Sequence, residues 1–291
     1  MIEILHGDAL EKIKLLKDKS IDCIMTSPPY WQLRNYGVTG QLGLEDTVEE
    51  YIEKLIEVFN ECWRVLKDTG TVFINMGDTY SNSKSISIRR KSKMMIPEKI
   101  AIAMIEKGWI LRNEIIWHKP NVVPEAVQDR FTNDFEKIYF FTKNEKYFFE
   151  KQYEAFAEKT LTAFKDGIMP TGKKKMLGAG ESRTGMREVN KPWKAVYNEK
   201  GRNMRTVWKI ATKGIPETHF ATFPDELVRR CILAGCPENG IVLDPFLGSG
   251  TTLKVAKKLN RNGIGIELNQ EYIQIAKKRI GNDLFNEVQI K

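Results

Sequence analysis

Short apolar runs, each closed by a polar or glycine-bearing turn and followed by a stretch of helical period, recur along most of this chain. That alternation narrows the available folds more than any other feature. Ile2–Leu5, Ile21–Met25, Thr71–Met76, Ile241–Leu243 and Ile264–Ile266 read as short buried strands. Strands that are apolar throughout belong in a sheet covered by helices on both faces, so an α/β fold is expected. No internal repeat is visible.

The helical stretches carry their own punctuation. Thr47-Val48-Glu49-Glu50 is a capping box, with a hydroxyl and a carboxylate spaced to satisfy free amides reciprocally. Val48, Tyr51, Ile52, Leu55, Phe59, Cys62, Trp63 and Leu66 follow at helical spacing, and Asp68-Thr69-Gly70 is expected to stop that helix. Pro97 suits the first position of a helix that closes at Gly108. Strands are expected over Trp109–Trp117 and Phe135–Thr142, joined by a proline-rich connection. Asp225 opens a helix to Gly235, and the last helix ends near Ile280.

Charge is unevenly placed. The 291 residues carry a net +8, which favours a polyanionic partner. Residues 145–205 hold 14 Lys and Arg against 8 Asp and Glu, so most of the excess lies there. This stretch, with weak periodicity and the loop-like GKKKMLGAGESRTG, reads as an insertion between 1–144 and 206–291, which form the main domain. Ser81 to Lys93 is a second polar, basic stretch, expected to be a mobile loop. Cys23, Cys62, Cys231 and Cys236 with three histidines show no metal spacing, so neither a metal site nor a disulfide framework is expected. They look like reduced thiols of a cytoplasmic protein. Glu3 and Asp8 argue against a signal peptide, and no apolar run approaches membrane-spanning length.

Two stretches carry chemistry. In Thr26-Ser27-Pro28-Pro29-Tyr30-Trp31 the prolines must end the preceding strand, because they cannot donate ladder hydrogen bonds. The resulting stiff loop offers a hydroxyl, carbonyls and two rings, which can grip a flat polar ring by edge and face. A plain proline turn with both rings as core filler fits the hexapeptide equally. In Asp244-Pro245-Phe246-Leu247-Gly248-Ser249-Gly250-Thr251-Thr252 a carboxylate ends a strand and two glycines permit close backbone approach before a helix. It lacks the Gly-Lys-Ser/Thr ending of a phosphate loop and the third glycine of a dinucleotide fingerprint. Glu267 follows at the end of the next strand, where an acid can accept ribose hydroxyls, or simply cap a helix. Asp8 closes the first strand and can serve an adenine amino group.

TSPPYW, DPFLGSGTT, the GIELN stretch and HGD together resemble the S-adenosylmethionine-dependent amino-methyltransferases of DNA, from Ile2 to Ile280. The catalytic loop precedes the cofactor loop, as in the family's beta order. The resemblance implies a doubly wound, mostly parallel seven-stranded sheet of the Rossmann-like type, with both loops at its carboxyl edge. It implies cofactor contacts from Asp8, Thr26, Asp244, Pro245, Phe246, Gly248, Ser249, Gly250, Thr251, Thr252, Glu267 and Asn269. It places Ser27, Pro28, Pro29 and Tyr30 in catalysis, and Trp31 stays unassigned. His219 to Leu227 resembles the motif completing the methionine pocket, but Phe223 stands where a lysine is usual.

Serine at the head of the SPPY loop points to the N4 amine of cytosine, with adenine N6 as the alternative. The Ser27 hydroxyl and Pro28 carbonyl would draw the amine toward tetrahedral geometry, Pro29 would stiffen the loop, and Tyr30 would stack on a flipped base. Direct displacement then moves the methyl group, with positioning as the main contribution. Duplex DNA is the expected partner, contacted by Arg89, Arg90 and Lys91 and by Lys173, Lys174, Lys175, Arg183 and Arg187 in the insertion, read as a target-recognition region. An RNA or protein substrate and a DNA-binding protein without catalysis are the competing readings. A homodimer and a cognate restriction endonuclease acting on the same site are further partners that the resemblance leaves open.

Overall fold

The computed structural model describes residues 1–33, 35, 37–81, 88–156, 158, 200–212, 223–281 and 288–291. It divides into two compact units, Met1–Glu150 with Thr206–Lys291, and Lys151–Arg205.

In the larger unit, β1 (Ile2–His6), β2 (Ile21–Thr26), β3 (Leu66–Met76), β4 (Ile110–His118) and β5 (Phe135–Thr142) come from the first half. The smaller unit holds β6 (Tyr153–Glu154) and β7 (Arg202–Asn203), an antiparallel pair. β8 (Val207–Lys209), β9 (Ile241–Asp244), β10 (Asn262–Glu267) and β11 (Val288–Ile290) return to the larger unit. Its sheet runs β11-β1-β10-β9-β2-β3-β5-β4-β8. β5 alone is antiparallel to its neighbours, so the sheet is mixed and mostly parallel. The seven expected strands form its body, and three-residue strands β8 and β11 extend it at each edge.

Alternating side chains send the strands' two faces to two helix layers. Val72 and Ile74 join the core beneath α1 (Ala9–Lys14), α2 (Val48–Val65) and α3 (Ile96–Glu106). Thr71 and Phe73 point the other way, against Gly235 of α4 (Asp225–Gly235). α5 (Thr251–Lys258) and α6 (Gln270–Ile280) continue that second layer. α2 buries Val48, Tyr51, Leu55, Ile56, Val58, Phe59, Cys62 and Val65. At about 1.5–3 kcal/mol for each large apolar side chain, this face contributes on the order of 10 kcal/mol before chain entropy is counted. The Thr47 hydroxyl accepts the Glu50 amide at 3.2 Å, one arm of the expected capping box. All four cysteine thiols are free and buried.

Helix α2 stops earlier than its spacing suggests. Leu66 already has extended backbone, and β3 runs through Asp68-Thr69-Gly70 instead of starting after them. The pairing with β2 jumps from Ile21–Leu66 to Cys23–Thr71, so the polar residues are taken up in a bulge. Lys67 in that bulge is paired with the buried Asp22.

The smaller unit begins six residues beyond the shift in composition. Phe148 and Glu150 donate backbone amides to Thr69 of β3 and Ala234 of α4, which holds 145–150 to the larger unit. Within the unit, Glu154 accepts from Arg202 at 2.8 Å and Arg205 at 2.6 Å. Among the described residues no helix is long and apolar enough to cross a membrane. The six residues 82–87 of the expected loop at 81–93 lie outside the described residues.

Candidate active site

Parallel order brings β2 beside β9, with Cys23 opposite Val242 and Ile24 opposite Leu243. Their carboxyl ends therefore deliver TSPPYW and DPFLGSGTT to one place. A cavity of about 280 Å³ opens there, lined by Ser27, Pro29 and Tyr30 from the first loop and Pro245 to Ser249 and Thr251 from the second. Gly7, Asp8 and Glu267 to Asn269 line it from the ends of β1 and β10.

Several predicted residues lie off the cavity wall. Asp244 is fully buried and does not line the cavity. Its Oδ1 accepts from the Thr26 hydroxyl at 2.7 Å and the Phe246 amide at 3.1 Å, and its Oδ2 accepts from the Thr252 hydroxyl at 2.6 Å. Burial pushes this carboxyl up to about 6 despite those three donors. Thr26, Asp244 and Thr252 thus tie the two loops together behind the cavity. Gly250 also lies off the cavity: a Cβ there would sit 2.8 Å from the Ala276 Cβ, so its smallness serves packing against α6. Pro28 is buried behind the loop and off the cavity wall.

Other predicted residues do line the cavity. Gly248 has φ of +53° and open space where a Cβ would point, so it presents backbone to the cavity. Glu267 accepts the Gly248 amide at 2.7 Å through Oε2 and the Asn269 amide at 2.8 Å through Oε1. Burial raises its carboxyl above the usual range. Asp8 accepts the Glu11 amide as the cap of α1, and Asn269 accepts the Glu271 amide as the cap of α6. Both remain in the lining. Arg279 of α6 donates to the Ser249 carbonyl at 2.6 Å and the Thr251 hydroxyl at 3.1 Å, which steadies the glycine loop. Phe223 lines the cavity as well, while His219 lies outside the described residues.

The first loop is held from beneath. The Tyr51 hydroxyl of α2 donates to the Pro29 carbonyl at 2.7 Å. Trp31 is buried, and its indole donates to the Glu45 carbonyl at 3.0 Å, so it anchors the loop to the glycine-bearing segment that follows. Gly43 lies against Tyr30, where a Cβ would come within 3.0 Å of the Tyr30 carbonyl.

Three site residues carry no motif and were invisible in the sequence: Asn75 from β3, Lys119 after β4, and Glu136 on β5. All line the cavity. The Tyr30 hydroxyl donates to Glu136 Oε2 at 2.8 Å and accepts from Asn75 Nδ2 at 3.0 Å. Asn75 Nδ2 also reaches Glu136 Oε2 at 2.7 Å, and Lys119 is ion-paired with Glu136 Oε1. Lys119 stands 4.5 Å over the Trp117 ring. Burial foremost, then the Glu136 charge, pushes the Tyr30 hydroxyl well above its ordinary range, so it remains a donor. Leu33, Val38 and Gly40 to Leu42, which read only as loop, complete one wall.

The expected phosphate contacts are only partly within view. Arg89, Arg90 and Lys91 are exposed, and Lys91 pairs with Asp129. Lys173, Lys174, Lys175, Arg183 and Arg187 lie outside the described residues.

A family model described as DNA methylase, of the N6/N4 type, matches residues 21–278. The Type II methyltransferase M.SmaI of Serratia marcescens is 38% identical over 299 residues, covering 96% of this chain and 90% of its own. M.Cfr9I of Citrobacter freundii, also a Type II methyltransferase, is 36% identical over 312 residues, covering 99% and 90%. Among solved structures, the PvuII DNA methyltransferase, described as cytosine-N4-specific, superposes with a TM-score of 0.66 at 19% identity, covering 97% of this chain and 87% of that one. A Thermus thermophilus protein described as a DNA modification methylase, solved with S-adenosyl-L-methionine, gives 0.64 at 24% identity with both chains fully covered. At these identities the structural likeness concerns the fold.

Proposed function

The chain belongs to the N6/N4 DNA methylase family, and we propose that it methylates the exocyclic N4 amine of cytosine in duplex DNA. The observation that carries the proposal is the placement of Ser27, at the head of the SPPY loop, in the same cavity as Gly248 and Glu267. One end of that cavity suits S-adenosylmethionine. The open backbone at Gly248 admits a ligand closely, and the half-buried Glu267 and Asp8 offer oxygens to hydroxyl and amino groups. Phe246 supplies an apolar wall. When bound, the cofactor supplies an electrophilic sulfonium methyl group.

The protein's own part is positioning. An exocyclic amine is a weak nucleophile because its lone pair is delocalised into the ring. The Ser27 hydroxyl lines the cavity, accepts one of the amine's hydrogens and localises that pair toward the methyl carbon, whereas Pro28, expected as the second acceptor, lies off the cavity wall. Tyr30 packs against the ring of a base turned out of the duplex, and the prolines keep Ser27 from moving. The basic segment 145–205 recognises the target site and holds phosphates, joined by Arg89 and Arg90. Adenine N6 is the second reading, since it presents the same amine chemistry.

Incubation with labelled S-adenosylmethionine, duplex DNA and RNA tests the substrate class. Label is expected in DNA alone; label confined to RNA overturns the reading. Ser27→Ala is expected to lose at least about a hundredfold in turnover while binding the cofactor as before. Full turnover in that variant contradicts the role given to Ser27.

A further inference from the structure

The polar groups beside Ser27 form a directed chain. A tyrosine hydroxyl has one proton, and Tyr30 gives it to Glu136 Oε2 at 2.8 Å. Its oxygen is then left to accept. Asn75 Nδ2 donates to it at 3.0 Å, and the Ser27 hydroxyl donates to it at 3.4 Å, at the long end for such a bond. Because Ser27 points its only proton at Tyr30, its lone pairs stay available to the cavity.

The side chain of Asn75 reinforces this direction. Both its acceptors, Tyr30 and Glu136, are met by Nδ2, since the carbonyl oxygen would repel the Glu136 carboxylate. Asn75 Oδ1 is buried with no hydrogen-bond partner among the described residues. Leaving a buried acceptor unpaired is costly. Lys119 is ion-paired with the other carboxylate oxygen, which leaves Oε2 to Tyr30 and Asn75.

We propose that Ser27, Tyr30 and Glu136 form a proton relay that takes up the proton released by the target amine. The inference rests on the amino-methylation reading but not on which base is the target. As the amine nitrogen bonds to the methyl carbon, the carbon–sulfur bond breaks and its electron pair stays on sulfur. The nitrogen's proton passes to Ser27 Oγ, the Ser27 proton to Tyr30 Oη, and the Tyr30 proton to Glu136 Oε2. The carboxylate becomes a carboxylic acid and each hydroxyl ends neutral. Moving the protons together fits Tyr30, whose buried hydroxyl resists ionisation. Before transfer, Glu136 is a positioning residue: it turns Tyr30, and through Tyr30 it turns Ser27, toward the amine.

The test uses the full chain and the variants Glu136→Gln, Tyr30→Phe and their double. Single-turnover methyl transfer is expected to fall at least about tenfold in each single variant, with no further loss in the double. Affinity for S-adenosylhomocysteine is expected to stay within about twofold of the parent, which also shows that the variants fold. A second readout needs no turnover. With S-adenosylhomocysteine bound, the parent should prefer a duplex bearing the target base over one bearing its amine-free analogue by about tenfold, and the variants should lose that preference. Glu136→Gln with parental rates, losses that multiply in the double variant, or an undiminished preference would each overturn the relay. If the parent methylates DNA and the variants match it, only the relay falls. A parent that methylates no DNA sinks the functional reading and the relay with it.

Discussion

The Thr26 hydroxyl donates to Asp244 Oδ1 at 2.7 Å, joining residues 218 positions apart. Thr26 ends the strand that leads into the SPPY loop, and Asp244 ends the strand that leads into the glycine loop. One buried carboxylate therefore sets the distance between the two halves of the site.

A pH dependence of stability follows. Burial holds Asp244 at about 6 in the fold, above the usual carboxylate value near 3.8. Between those values the folded protein keeps a proton that the unfolded chain has lost, so this group's contribution falls as pH rises from about 4 to about 6. The full change is on the order of 2–3 kcal/mol. Asp244→Asn keeps an acceptor for Thr26 and should flatten that segment of the profile in urea titrations. An unchanged profile would assign the dependence to another group.

Tyr51 offers a cleaner probe of loop stiffness. Its hydroxyl meets the Pro29 carbonyl from a fully buried position on α2, away from the cavity wall. Tyr51→Phe should cost about 1–2 kcal/mol of stability. It should also lower turnover severalfold while leaving cofactor affinity unchanged, as calorimetry would show. Equal turnover would mean that the prolines alone fix the loop.

The two glycines of the glycine loop should behave differently. At Gly250, φ of +84° and the 2.8 Å approach to Ala276 act together, so Gly250→Ala should lose about 2–4 kcal/mol in thermal melts. At Gly248 only the positive φ of +53° opposes a side chain, and about 1–2 kcal/mol is expected. Gly248→Ala should instead weaken cofactor binding, because the new methyl group points into open space beside the cavity. The reverse ranking in stability would contradict the packing argument.

The two loops were legible in the sequence because each is a contiguous motif at the end of an apolar run. The order of the strands brought them together as expected. Burial was not legible. Asp244, Thr26 and Thr252 belong to the motifs yet face inward, and nothing linear separates a residue that touches a ligand from one that braces the loop. Asn75, Lys119 and Glu136 were missed for the opposite reason. They come from three places in the chain, and only the antiparallel insertion of β5 between β3 and β4 makes them neighbours. The end of α2 was misjudged because Asp68-Thr69-Gly70 looks like a stop, whereas a bulge absorbs these residues within a strand.

The central claim is that Ser27 presents its acceptor to the N4 amine of cytosine. Duplex DNA methylated by the protein with isotopically labelled S-adenosylmethionine can be digested to nucleosides and separated by mass. Label in N4-methylcytosine is the predicted result. Label in N6-methyladenine, or in neither nucleoside, would contradict the account.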